Sequence, residues 1–386
     1  MNLINLDHNA TTPLLPEVRK LMTEAMEQLP GNPSSLHREG RRALEAIEKA
    51  RGSVARLIGA SAEEIVFTSG GTEANALALM GTLFRTGKAL MISAIEHPSV
   101  METAAHLARL GHVVQHVSPD NEGRVSIEAV KEGLSEDVGL VSLQLANNET
   151  GVLQPVGDLR YRIGGNDLII HTDAVQAAGK IPVSVRDLNV QLMTLSAHKM
   201  GGPKGIGALW IDSESTPLPI LHGGLQERGL RAGTQNVIGI AGFGAAAELA
   251  MKRLSQPDAN PSRLRDRLET EVQSRLLGTV VMGGGAERVP NTSCIAFRNL
   301  EGAALVQLLD LKGVAASTGA ACEARSNDYS HVLRAMAVPE SLARGAVRFS
   351  LGLDITEKEI TEAIGIIVEA VEELEGYSSA VRRIIR

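Results

Sequence analysis

Seven short apolar runs limit how this chain can fold. They are I-V-F-T (65–68), A-L-M-I-S (89–93), H-V-V-Q-H-V (112–117), V-G-L-V-S-L-Q-L (138–145), D-L-I-I-H (167–171), Q-L-M-T-L-S (191–196) and G-A-L-W-I (207–211). Most are β-branched or leucine-rich and apolar on both faces, so both faces need covering. Helical segments lie between several of them, such as Ser99 to Leu110, closed by Gly111. The alternation predicts an α/β fold with a mainly parallel seven-stranded sheet covered by helices.

Outside that core the signals are mostly helical. Val18, Leu21, Met22, Ala25, Met26 and Leu29 have helical spacing behind Pro16. Leu44, Ile47, Val54, Leu57 and Ile58 form a second apolar stripe that Gly59 closes. A long apolar helix is expected from Asn236 to Leu254, and S-Q-P-D-A-N-P-S (255–262) reads as a linker. Beyond it, S-C-I-A-F (293–297), A-A-L-V-Q-L-L (303–309), G-V-A-A-S-T (313–318) and V-R-F-S-L (347–351) give a mixture of strands and helices. A closing helix starts at Thr356, whose spacing to Glu359 is that of a capping box. At 386 residues the chain is long for one compact core. The expected division is a large domain, 14–253, and a smaller α+β domain made of 1–13 plus 254–386.

Composition removes several function classes. The net charge of −7, from 45 acidic and 38 basic residues, argues against non-specific nucleic-acid binding. Aromatic content of 2% disfavours a stacking platform for single strands. No apolar run approaches the ~18 residues that span a bilayer. The opening M-N-L-I-N-L-D-H-N lacks the basic stretch and apolar core of a signal peptide. Two cysteines, Cys294 and Cys322, make no disulfide framework, so a reducing cytoplasmic setting is expected. The histidines show no metal-ligand spacing, and no metal is expected.

Four stretches could carry chemistry. In T-S-G-G-T-E-A-N-A-L (68–77) a strand ends, glycines follow and a helix begins, a junction whose free N–H groups attract phosphate. It also fits a plain turn, and with Glu96 at the end of the next strand it leaves dinucleotide binding open. In H-T-D-A-V-Q (171–176), Asp173 sits where a parallel strand would end in a crevice, or caps a helix. Lys199, in S-A-H-K-M-G-G-P-K-G, follows the next strand. An acid and a lysine on adjacent strand ends are what pyridoxal phosphate needs: an anion for its pyridinium nitrogen and an amine for its aldehyde. Thr72, Ser196 and His198 would then serve the phosphate. Cys322 lies in a small-residue loop beside Glu323 and Arg325, whereas Cys294 lies within a strand and reads as inert core. Arg348 interrupts an apolar strand and calls for a carboxylate partner, structural or bound.

Taken in order, L-D-H-N-A-T-T-P, G-N-P-S-S, F-T-S-G-G-T-E, E-H, A-N-N-E-T-G, H-T-D-A-V-Q, S-A-H-K-M-G-G-P-K-G-I-G-A-L, G-G-L-Q-E-R-G-L-R-A-G-T, the cysteine loop and V-R-F-S-L-G resemble the NifS/IscS-type cysteine desulfurases. These belong to the class V aminotransferase group of fold type I pyridoxal phosphate enzymes. The resemblance implies pyridoxal 5′-phosphate as cofactor, L-cysteine as substrate, alanine as product, and a persulfide on Cys322 passed to a protein sulfur acceptor. It implies that Lys199 binds the cofactor aldehyde, Asp173 keeps the pyridine nitrogen protonated, and His97 stacks on the ring and transfers protons. Gln176 bonds the ring hydroxyl, and Thr72, Ser196 and His198, with the Gly71 turn, hold the phosphate. Asn148 and Arg348 hold the substrate carboxylate. Thr234, in R-A-G-T, reaches the phosphate of a partner subunit, which implies a homodimer.

Two features differ from the familiar pattern: E-A-R-S-N-D-Y follows the cysteine, and the chain ends soon after the last helix, at R-R-I-I-R. The A-N-N-E-T-G and G-A-A-C stretches also resemble selenocysteine lyases. Acceptors in iron–sulfur cluster biogenesis, tRNA thiolation, DNA sulfur modification and selenium metabolism all remain compatible with them. A nicotinamide-dependent oxidoreductase using Gly70, Gly71 and Glu96 is the alternative from another class. It gives Lys199, Asp173 and Cys322 no role.

Overall fold

The computed structural model describes residues 3–164, 168–256, 261–319 and 329–384, with side chains as far as 376. After the short strand β1 (Ile4–Asn5) come helices α1 (Pro16–Gln28) and α2 (Arg38–Leu57). The apolar runs then form β2 (Ile65–Thr68), β3 (Ala89–Ser93), β4 (Val114–Val117), β5 (Val138–Ser142), β6 (Ile169–Asp173), β7 (Leu192–Ser196) and β8 (Gly207–Ile211). They make one seven-stranded sheet in the order β2-β8-β7-β6-β5-β3-β4. Only β8 runs against its neighbours, β2 and β7; the other pairs are parallel. Helices α3 (Gly71–Thr86) and α4 (Pro98–Arg109) follow β2 and β3 respectively.

The sheet is mainly parallel and helix-covered because its interior strands are apolar on both faces. On one face Ile47, Val54, Ile58, Phe67 and Phe243 pack with α2 and the helix Val237–Leu254. On the other, Val66, Leu77, Leu83, Leu90, Leu107 and Leu209 pack with α3 and α4. β4 departs from the sequence reading. It lies at the sheet edge with its first residues half-buried, and Val113 just before it is 61% exposed. An edge strand has one neighbour and less cover.

The helical stripes are also narrower than their spacing predicts. Val18 and Ala25 are buried on α1, but Met26 is 60% exposed and Leu44 on α2 is 41% exposed. Spacing selects a face and cannot say how wide a strip the neighbouring helix covers.

The rest of the chain adds β9 (Thr279–Val281), β10 (Thr292–Phe297), β11 (Val314–Ala315) and β12 (Ala346–Ser350). β12, β10 and β9 form an antiparallel sheet, while β1 pairs in parallel with β11. Leu6, Leu268, Phe297, Leu305, Phe349 and Ile364 form a core cluster here. Cys294 and Ala296, from the other face of β10, pack in the cluster that covers the large sheet. The stretch 303–309 is helical, within Gly302–Leu311. The closing helix Glu357–Ile384 starts with the predicted box: Glu359 Oε2 accepts from Thr356 N, and Thr356 Oγ1 accepts from Glu359 N. Four positions of the predicted linker, 257–260, lie outside the described residues. Among the described residues no helix is long and apolar enough to cross a membrane.

Candidate active site

The C-terminal ends of β5, β6 and β7, with the N-terminus of α3, open onto a cavity of about 320 Å³. Ligand crevices of parallel sheets lie at such an edge. His97, Asp173, Gln176, Gly71, Thr72, Ser196, His198, Lys199, Asn148 and Arg348 all line it. Residues 170 or more positions apart therefore share one wall. Two predicted residues are not on it. Thr234 is exposed in the segment before the helix Val237–Leu254. Cys322 lies outside the described residues, although Gly319 and His331, from the described stretches on either side of it, both line the cavity.

Lys199 follows β7 in a single tight turn. Its Nζ donates to the backbone carbonyls of Asn9 at 2.6 Å and Ala10 at 2.8 Å. Asp173 ends β6. Its Oδ1 accepts from Val175 N at 2.9 Å and its Oδ2 from Asn75 Nδ2 at 2.8 Å. Asn75 also donates to Ser99 Oγ at 2.8 Å, and that hydroxyl meets His97 Nδ1 at 2.8 Å. A chain of bonds thus joins the acid to the histidine.

His97 is the N-cap of α4, and its Nδ1 also accepts the Ser99 N–H at 3.1 Å. Because a backbone N–H can only donate, the neutral ring carries its proton on Nε2. Burial lowers the His97 pKa; Asp173 opposes it, and Lys199 and Arg348 add to the lowering. At neutral pH the ring is uncharged.

The end of the cavity at α3 is built from backbone. No side chain caps α3, whose N-cap is Gly70. A Cβ on Gly71 would lie 3.1 Å from Val175 Cγ2, so a larger residue there would press on that methyl group. His198 meets Thr11 Oγ1 through Nδ1 at 3.1 Å, and burial and Lys199 press its pKa down to about 4. Its imidazole is neutral and contributes hydrogen bonding rather than charge.

Arg348 leaves β12 with Nη2 on Asp7 Oδ1 at 2.8 Å and Nη1 on the Asn148 carbonyl at 3.0 Å. Its Nε and the Asn148 Oδ1 are buried without a protein partner among the described residues. Unmet polar atoms of this kind are costly unless something completes them. A carboxylate would complete the Arg348 donor, while the Asn148 oxygen calls for an N–H or O–H donor. Amine, carboxylate, uncapped helix end and unmet donor together fit pyridoxal phosphate with an amino-acid substrate.

Several residues of the site escaped the sequence reading. Asn9, Asn75 and Lys180 organise the polar network, while Gln144, Glu149 and His331 complete the wall. Asn75 stood inside a recognised motif, where an amide on an otherwise apolar helical face was an available signal. Lys180 carried none.

Two other sequence features resolve differently. Glu96 is fully buried and off the cavity wall. Its Oε1 accepts from Gln144 N at 2.8 Å, and burial raises its pKa well above the usual range. It is not placed to bind a ribose. His171, of H-T-D, is a core histidine between Ser142 Oγ at 2.9 Å and Thr194 Oγ1 at 3.0 Å.

Burial brings the pKa of His171 to about 4 from an ordinary 6.5. Because the folded value is the lower one, the unfolded chain binds the extra proton, and stability falls as pH drops from 6.5 towards 4. The predicted loss between pH 7 and 4 is about 3 kcal/mol. Urea unfolding of His171→Asn across that range should have a correspondingly shallower pH slope. An unchanged slope would assign the acid sensitivity elsewhere.

The comparisons agree with the geometry. The class-V aminotransferase family matches residues 4–362. The chain is 41% identical to the cysteine desulfurase IscS of Dictyoglomus turgidum, over 97% of this chain and 96% of that one. It is 39% identical to the cysteine desulfurase NifS of Azotobacter vinelandii, over 97% and 94%. The chain belongs to the NifS/IscS-type cysteine desulfurases of the class-V aminotransferase family. That family is pyridoxal-phosphate-dependent. A solved NifS-like protein superposes with a TM-score of 0.90 at 37% identity, covering 96% of this chain and all of that one. A second structure, of SspA in complex with cysteine, superposes at 0.80 with 33% identity, covering 90% and 98%. The nicotinamide alternative has no support in these relatives or in the placement of Glu96.

Proposed function

We propose that this cavity converts L-cysteine to L-alanine with pyridoxal 5′-phosphate and places the sulfur on Cys322. The supporting observation is the meeting of Lys199, Asp173 and the unmet polar atoms of Asn148 and Arg348 on one wall. When bound, the cofactor supplies an electron sink that lowers the cost of removing the substrate α-proton. Lys199 is the amine that anchors its aldehyde. Asp173, fixed from two sides, holds a proton on the ring nitrogen. Thr72, Ser196, His198 and the first turn of α3 would receive the phosphate. Gln176 donates to the ring oxygen. His97 would stack against the ring with Nε2 as its proton-exchanging atom: the neutral ring would first take up a proton and then, as imidazolium, give one to the product carbon. Arg348 Nε and the Asn148 side chain orient the substrate carboxylate.

The balance closes without an outside redox partner: L-cysteine and the Cys322 thiol become L-alanine and a Cys322 persulfide. The substrate C–S bond breaks, the S–S bond forms, and the carbon takes a proton. A protein acceptor then removes the terminal sulfur. Thr234 serves the phosphate of a second copy in a homodimer, and the setting is the cytoplasm.

The test is a single turnover of cofactor-loaded protein with L-cysteine and no reductant. One alanine and one additional sulfur atom on the Cys322 peptide, by mass spectrometry, are expected per site. Absence of alanine ends the reading.

A further inference from the structure

Lys180 is a buried lysine with no carboxylate partner among the described residues. Its Nζ donates to Gln176 Oε1 at 2.6 Å and to Asn9 Oδ1 at 2.7 Å. It belongs to the turn that leaves β6, where Gly179 takes φ +80° and Lys180 N bonds the Ala177 carbonyl. That turn sets Lys180 four residues after Gln176, beneath the cavity wall. A buried amine bonded only to neutral amides has to do something the amides need.

What they need is a direction. A carboxamide has a donor end and an acceptor end of nearly equal size, and either could face the cavity. An ammonium group only donates, so the end facing Lys180 must be oxygen. Gln176 Nε2 then points the other way. One of its protons goes to the Asn9 carbonyl at 3.1 Å, itself only an acceptor. The other is left for the cavity that Gln176 lines. Asn9 is fixed by the same logic. Its Oδ1 takes Lys180 and Asn291 Nδ2, and its Nδ2 donates to the Asn148 carbonyl and Thr292 Oγ1. The Asn9 carbonyl, held in place this way, also accepts from Lys199.

We propose that Lys180 is a positioning residue: it locks the Gln176 carboxamide so that a donor, never an acceptor, faces the ring oxygen of the bound cofactor. This rests on the reading of the cavity as a pyridoxal phosphate site. Burial, then the positive Lys199 and Arg348, lower the Lys180 pKa well below that of a free amine. The lock survives deprotonation only in part, because a neutral amine can also accept. The charged groups acting on it are Lys199 after β7 and Arg348 on β12, and the His8 ring it faces in the N-terminal segment lies near Asp354 and Asp7.

The test uses the cofactor-loaded protein without substrate. Lys180→Met removes the donor at similar length. Its bound-cofactor absorption should shift toward the form with a protonated ring oxygen, and the cofactor should bind about tenfold more weakly. Lys180→Gln, which can supply an N–H at the same place, should recover most of the wild-type spectrum. In a double-mutant cycle with Gln176→Ala, Lys180→Met should add almost nothing to the spectral change. An unchanged Lys180→Met spectrum, or full additivity, overturns the proposal. If Lys180→Met does not fold, neutron diffraction of the wild-type holoenzyme decides: deuterium on the Gln176 atom facing Lys180 overturns it, and deuterium on the opposite atom supports it. Wild-type protein that binds no cofactor defeats the cavity reading itself, and this inference with it.

Discussion

Lys199→Ala is expected to abolish turnover, by a factor on the order of 10³ or more, while leaving the fold intact. The fold is spared because of what Lys199 touches. Its ammonium serves two backbone carbonyls that do not depend on it. The Asn9 carbonyl keeps the Gln176 Nε2 donor at 3.1 Å, and the Ala10 carbonyl belongs to a residue that is not fully buried. Activity is not spared, because among the described residues that line the cavity only Lys199 is a lysine. Lys180 is sealed beneath by Asn9 and Gln176. Lys204, the other nearby lysine, lines the adjoining hollow at the phosphate end. Borohydride treatment of cofactor-loaded wild-type protein should fix the cofactor to the peptide containing Lys199. In the variant no peptide should carry it, and the melting temperature should stay within a few degrees of wild-type apoprotein. A trapped adduct at another lysine, with alanine still forming, would move the anchor and with it the arrangement proposed here.

The residues that could be found in the sequence differ in kind from those that could not. The sheet was readable because burial on both faces forces runs such as V-G-L-V-S to be apolar throughout, a pattern local to five residues. Its limits were less so. β5 stops at Ser142, and Leu143 and Leu145 then donate across to the His171 and Asp173 carbonyls, which no local pattern predicts. Lys199 and Asp173 stood out because a charge at the end of an apolar strand conflicts with its surroundings unless it has a use. Asn9 offered no such conflict, since asparagine is ordinary in turns, and the amide of Asn75 on an apolar helical face gave only a faint one. Their importance arises from partners far away in the chain. Asn9 meets Lys180 across 171 positions, and Asn75 meets Asp173 across 98. Spacing rules see neighbours, and these contacts exist only once the sheet has closed the distance.

Cys322→Ala should keep the cofactor and its colour, bind L-cysteine, and make no persulfide. The chain offers two thiols, and Cys294 is disqualified by its place. It is fully buried in β10, and burial pushes its pKa up to about 12. At pH 7 such a thiol is ionised in about one molecule in 10⁵, and only the thiolate attacks sulfur. Among the described residues it does not line the cavity, and its side chain packs in the cluster it shares with Ala296. The described chain on both sides of Cys322 meets the cavity. Gly319 lines the wall, where a Cβ would collide with the Glu149 carboxylate, and Ser330 Oγ donates to that same carboxylate at 2.5 Å. Both approaches to residue 322 are thus tied to one buried acid of A-N-N-E-T-G. With the thiol gone, the bound substrate still meets Lys199, His97 and Arg348, so its spectral response on mixing should persist. Alanine release should fall by a factor on the order of 10³. Cys294→Ala should desulfurate at the wild-type rate and lose only about 1 kcal/mol of stability through the small void it leaves. Persulfide on Cys294 in the Cys322→Ala protein, at the wild-type rate, would contradict the assignment of the nucleophile while leaving the cofactor site untouched.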